Sequence, residues 1–142
     1  MNTPYLTIDL RKLEHNLKII LDLCKKNHLK LTPVTKVIMG DPRIATMYTK
    51  YTDSIGDSRI HDIKRMIRNE VKSSFMLIRS PTIQESREVV TLCDCSLNSE
   101  LSVIKSLNKT AQDINKIHSI ILMVEMGDLR EGVMLDDFES LL

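Results

Sequence analysis

No sign of charge dominates this sequence: 20 lysines and arginines stand against 19 aspartates and glutamates, a formal net charge of +1 over 142 residues. That balance gives no electrostatic footprint for a nucleic acid or an anionic membrane. The basic pairs Lys25-Lys26 and Lys64-Arg65 are short and have no interleaved aromatics, so they read as solvated helix faces. No apolar run approaches the roughly 20 residues that cross a bilayer. The opening Met-Asn-Thr-Pro-Tyr has no basic region followed by a hydrophobic one, so no signal peptide is read and a cytoplasmic protein is expected. Cysteine is scarce too. Cys24, Cys93 and Cys95 make no paired framework and no C-x-x-C, which excludes a zinc ribbon and points to reduced thiols. His15, His28, His61 and His118 are scattered, and no metal site is expected. The glycine-rich fingerprints G-x-G-x-x-G and G-x-x-x-x-G-K-[ST] are also absent, which removes the usual nucleotide signals of an open α/β sheet.

What is present centres on Lys30 to Pro42, KLTPVTKVIMGDP. Leu31 to Thr35 is a short β-branched run whose proline lies near its start, where a strand tolerates it. Lys36 stands where the run ends. Gly40-Asp41-Pro42 then reads as a turn, a helix N-cap and a proline at the first helical position. A lysine at the carboxyl end of a strand is often only solvated surface. In a parallel βα unit it also sits where ligands and chemistry collect, as an amine that can meet an aldehyde.

The same rhythm continues along the chain. Asp9 caps a predicted helix with the apolar stripe Leu10, Leu13, Leu17, Ile20, Leu21 and Cys24, ending near Lys26 to His28. A second helix is predicted from about Asp41 to Lys50 with Ile44, Met47 and Tyr48 turned inward. Strands are predicted at Thr52–Gly56, Ser74–Ile78, Leu92–Leu97 and Ile117–Val124. Helices open between them at Ser58, at Ser80-Pro81-Thr82 and at Asn98-Ser99. The run IHSIILMV is the most hydrophobic and is expected to be a buried parallel strand. After a loop from Glu125 to Gly132, a further helix begins at Leu135. Strands spaced about 20 to 25 residues apart with helices between them predict an α/β fold with a parallel sheet. A whole (β/α)8 TIM-type barrel takes about 250 residues. Five βα units in 142 residues therefore predict part of such a barrel.

Several stretches together resemble one family. Ile8-Asp9-Leu10, Leu13 and His15-Asn16-Leu17 are similar to the amino-terminal signature of alanine racemases and their relatives, the fold-type III pyridoxal phosphate enzymes. Pro33-Val34-Thr35-Lys36 resembles the strand whose lysine carries the cofactor. Ile55-Gly56-Asp57-Ser58-Arg59 resembles the motif ending the next strand. Ser96 to Glu100 and Leu122 to Gly132 (LMVEMGDLREG) resemble the ornithine racemase-like branch. The resemblance spans about residues 4–137. It implies that residues 1–142 are the amino-terminal part of a pyridoxal phosphate barrel. The remaining strands and a carboxyl-terminal β domain would be absent. It implies an amino-acid racemase or epimerase in which Lys36 forms an internal aldimine with pyridoxal 5′-phosphate and serves as base on one face. Arg130 would lie near the phenolic oxygen of the cofactor, and Asp57, Ser58 and Arg59 on the same rim.

The sequence also departs from the family. A tyrosine that in alanine racemases helps hold the phosphate, four residues after the lysine, is replaced here by Gly40. The family lysine seven residues before the arginine is here Met123. With the opposite-face base missing, the chain is not expected to racemise an amino acid alone. Two other outcomes stay open: a non-catalytic pyridoxal phosphate homeostasis protein of the single-domain kind, or an inactive remnant. Exposed sheet edges predict a homo-oligomer, a dimer or larger. The eight methionines are read as core fillers, Glu100 as capping or pairing within its helix, and His118 as a satisfied buried histidine.

Overall fold

The computed structural model describes residues 4–141. Helix α1 spans Leu10–Lys26, and the Asp9 side chain caps it by accepting the amides of Arg11 and Lys12 at 2.9 and 3.3 Å. Its stripe is only partly covered: Leu17 is buried, while Leu10 and Ile20 stay exposed. Helix α2 runs over Pro42–Tyr48 with Asp41 as N-cap, and Ile44, Ala45, Met47 and Tyr48 are buried as their spacing requires.

Four short strands follow, β1 Ser54–Asp57, β2 Ser74–Leu77, β3 Cys95–Asn98 and β4 Ser119–Leu122. They pair in parallel in chain order. Pro33 to Thr35 forms a fifth member in front of β1. It is bridged through Val34 and Gly56, with Gly56 N–H donating to the Pro33 carbonyl at 2.9 Å and Thr35 N–H to that of Gly56 at 3.0 Å. Helices α3 (Ile60–Arg68), α4 (Ser86–Leu92) and α5 (Leu101–Asp113) connect the strands, and each helix packs on the next. Sequential parallel strands with neighbouring helices laid side by side are the geometry of a barrel arc, not of a doubly wound sheet. The fold is therefore α/β, a partial (β/α)8 barrel. Its core lies between sheet and helices, where Ile55, Ile63, Met66, Leu77, Val89, Val90 and Leu107 are at most 1% exposed.

Several features differ from the pattern read along the chain. Helix α3 opens at Ile60 and not at Ser58, because the Asp57 carboxylate already takes the Arg59 amide at 2.9 Å. Helix α4 continues through Leu92, with Cys93 N–H still bonded to the Val89 carbonyl at 2.8 Å, so β3 starts only at Cys95. Helix α5 starts at Leu101 with Glu100 as N-cap, and no side chain caps it. Asn98 is instead a buried strand residue whose Nδ2 turns back to the Ser96 carbonyl and Oγ at 2.9 and 3.0 Å. The hydrophobic run read as a buried strand is the sheet edge, and Ile120 and Ile121 are 41% and 45% exposed. Beyond the loop, the helix predicted from Leu135 is a 3-10 helix over Leu135–Leu141.

The thiols of Cys24, Cys93 and Cys95 are free, and burial pushes the Cys93 thiol up to about 12. His118 is half-buried and doubly bonded, as expected. Its Nε2 lies 2.8 Å from Ser96 Oγ and its Nδ1 3.2 Å from the Cys93 carbonyl, and burial lowers its pKa. Among the described residues no helix is long and apolar enough to cross a membrane, and no group of three or more acidic, cysteine or histidine side chains could hold a metal ion.

Candidate active site at the carboxyl ends of the strands

Because every strand runs the same way, their carboxyl ends share one rim. Lys36, the Asp57-Ser58-Arg59 turn, Arg79, and the loop following β4 that carries Arg130 all stand at that rim. Lys36 begins the 3-10 turn Lys36–Ile38 directly after the paired segment. Thr35 is fully buried toward the helices, whereas Lys36 is exposed, and its ammonium has no hydrogen-bond or ion-pair partner among the described residues. An amine left unpaired is available to react.

What fixes Lys36 lies beneath it. Thr35 Oγ1 donates to Asp57 Oδ2 at 2.7 Å, tying the strand that ends in Lys36 to the end of β1. Asp57 is itself 0% exposed, so desolvation pushes its carboxyl up, against the downward pull of Thr35 and the Arg59 amide. Its oxygens are thus occupied from within the protein, and the geometry is that of a strut. Ser58 is half-buried, and the exposed Arg59 guanidinium lies 3.5 Å from Asp62 Oδ2.

Arg79 was not singled out from the sequence, yet it ties the turn after β1 to the segment after β2. Its Nε donates to the Ser58 carbonyl at 2.8 Å, its NH1 to the Ser80 carbonyl at 3.1 Å, and its guanidinium grips Glu85 in a two-point ion pair at 2.9 and 2.6 Å. The signal available was an arginine directly after a strand, followed by the capping box Thr82-x-x-Glu85. Arg79 holds the Glu85 carboxyl down at about 2, from an ordinary value of 4.5. A folded-state value below the unfolded one stabilises the native chain above pH 4.5 and loses that contribution as pH falls toward about 2. Urea midpoints should therefore drop across that interval, and the Glu85→Gln chain should show a shallower drop than wild type.

Gly40 occupies the position four residues after the lysine. Its φ is +60°, and a Cβ there would lie 2.7 Å from the Asp62 carbonyl oxygen. No tyrosine fits; the departure from the family pattern is built into the backbone. Gly40→Ala should cost at least the about 1–3 kcal/mol of a left-handed non-glycine residue. A smaller loss by urea denaturation would show that the turn relaxes.

The loop after β4 is closed at its base by the bridge between Val124 and Val133, with Glu125 N–H donating to the Val133 carbonyl at 2.9 Å. Arg130 is exposed near its tip. Two hollows among the described residues lie away from this rim. One, about 470 Å³, runs between α5 and β4 past Leu107, Ala111 and His118; the other, about 430 Å³, lies at the amino ends of the strands near Leu31, Asp53 and Ser74.

Fold and rim together define a segment of a parallel βα barrel with an unpaired lysine at the carboxyl end of its first strand. The family described as alanine racemase, N-terminal domain, matches residues 8–142, and the chain belongs to it. Ornithine racemase of Acetoanaerobium sticklandii is 41% identical over 130 residues, covering 91% of this chain and 36% of that protein. Lysine racemase of Thermotoga maritima is 34% identical over 131 residues, covering 92% and 37%. The chain thus spans little more than a third of the length of these curated relatives. Alanine racemase from Bartonella henselae, solved with covalently bound pyridoxal phosphate, superposes with a TM-score of 0.77 at 17% identity, over 94% of this chain and 38% of that one.

Proposed function

We propose that this chain is the amino-terminal, lysine-bearing part of a pyridoxal phosphate-dependent amino-acid racemase. One observation carries the reading: in a family of racemases, Lys36 stands exposed and unpaired at the carboxyl end of the first strand. The donor set at the rim fits the group, with a primary amine for an aldehyde and the guanidinium of Arg130 for an anionic oxygen. When bound, pyridoxal phosphate withdraws the electrons left behind as the substrate α-proton departs.

The residues supply the rest. Lys36 Nζ would hold the cofactor, and as a free amine it would take and return a proton on one face of the substrate α-carbon. Arg130 would hold an oxyanion at the rim through its planar, multi-donor guanidinium. Asp57 acts through Thr35 by fixing where Lys36 emerges, while Ser58 and Arg59 line the rim beside it. The opposite-face base, the remaining strands and a carboxyl-terminal β domain belong to the rest of the enzyme. The enzyme works as a homodimer, in a cytoplasmic setting that suits three free thiols. Substrates are amino acids; the relatives named above are racemases of ornithine and lysine, so a basic side chain is the first to try.

Borohydride reduction of the chain with added pyridoxal phosphate, followed by peptide mapping, tests the reading. A label confined to Lys36 supports it. A label spread over the surface lysines, or none, overturns it.

A further inference from the structure

The loop that carries Arg130 is organised around an acidic side chain. Glu125 Oε1 accepts the backbone amides of Gly127 and Leu129 at 2.5 and 3.0 Å. The loop can wrap this carboxylate because three of its residues turn left-handed: Gly127 at φ +110°, Leu129 at +51° and Gly132 at +138°. Gly132 also presses on the same point from the other side, since a Cβ there would sit 2.5 Å from the Glu125 amide nitrogen. The amides hold the Glu125 carboxyl below its ordinary range, so it stays ionised at neutral pH. An ionised carboxylate on two amides is the stronger kind of hydrogen bond, and here it bends the chain toward Arg130.

We infer that Glu125 is the positioning residue for Arg130: its carboxylate fixes the loop, and through the loop it sets where the guanidinium stands on the rim. Residues 126–131 are otherwise exposed or have little packing to hold them, so nothing apolar replaces that grip. The inference rests on the cofactor reading for what Arg130 does, but not for how the loop is held.

Two measurements on the intact chain test it. In amide hydrogen exchange, Glu125→Ala should speed exchange at Gly127 and Leu129 by about tenfold or more while leaving β1 to β3 protected. Glu125→Gln, a neutral acceptor of similar shape, should restore most of the protection. In titrations with pyridoxal phosphate, Glu125→Ala and Arg130→Ala should each weaken uptake by about tenfold, and the double variant no more than Arg130→Ala alone, because residues acting as one unit are not additive. Unchanged exchange in Glu125→Ala overturns the proposal whether or not cofactor binds. Additive losses overturn the coupling to Arg130. No adduct on wild-type Lys36, with the exchange effect intact, overturns the cofactor reading and leaves the grip of Glu125 on the loop standing.

Discussion

Lys36→Ala is expected to abolish the covalent uptake of pyridoxal phosphate, with the visible absorbance of the adduct lost and no borohydride label on the residues 30–42 peptide. The expectation is all-or-none, because no neighbouring amine can stand in for it. Lys30 lies at the start of the same extended segment, and Lys50 follows α2. Lys30 and Tyr51, the residue after Lys50, line the hollow at the amino ends of the strands, the end away from the rim. Lys36→Arg sharpens the test. It keeps the positive charge and much of the reach, but a guanidinium is not the amine an aldehyde requires. If charge alone attracted the phosphate, Lys36→Arg would retain binding; if the amine is the point, it fails with the alanine variant. Retention of the adduct in Lys36→Ala would remove the proposed site. Helicity should be unchanged in either variant, since the side chain is exposed and unpaired.

The largest loss of stability is expected at Leu77. It is fully buried at the end of β2, in register with Asp57 on β1 and Ser96 on β3, so its side chain fills the layer directly beneath the rim. Leu77→Ala deletes three buried carbons in a place where the flanking strands are held by hydrogen bonds and cannot close inward. Such truncations cost about 2–5 kcal/mol. A domain of this kind has a net stability of only about 5–15 kcal/mol, so the variant should populate unfolded chain under mild urea. Ile83→Ala serves as the contrast: its side chain is half exposed, and a change of no more than about 0.5 kcal/mol is expected. Similar urea midpoints for the two variants would show that the core is not where the sheet and helices place it.

Local chemistry was readable in the sequence wherever one residue decides the outcome. Asp9 ahead of an apolar stripe and Gly40-Asp41-Pro42 ahead of another give α1 and α2 almost to the residue, because capping and proline placement act within three or four positions. The parallel sheet follows from the spacing of the strands, and the barrel class from that spacing together with the missing nucleotide fingerprints. Ser58 and Asn98 failed as helix starts for one shared reason. A serine or asparagine is a cap only if no other group takes its role, and here Asp57 supplies one turn while Asn98 is drawn back to Ser96. The strut of Thr35 and Asp57 and the clamp of Arg79 are contacts between strands about 20 residues apart, and no single stretch contains both partners. The run ending at Val124 shows a different limit. Hydrophobicity reports what a strand is suited to face, not what covers it, and β4 is suited to burial while standing at the edge.

The order of the sheet bears on how the protein is made. Since β1, β2, β3 and β4 each pair with their neighbours in chain order, every strand finds one partner already synthesised when it emerges. Closure then spans about twenty residues each time, a modest entropy cost that does not grow as the chain lengthens. The molecule can be laid down on the ribosome one strand and one helix at a time, with the lysine-bearing segment first in place and every later unit added to a finished edge.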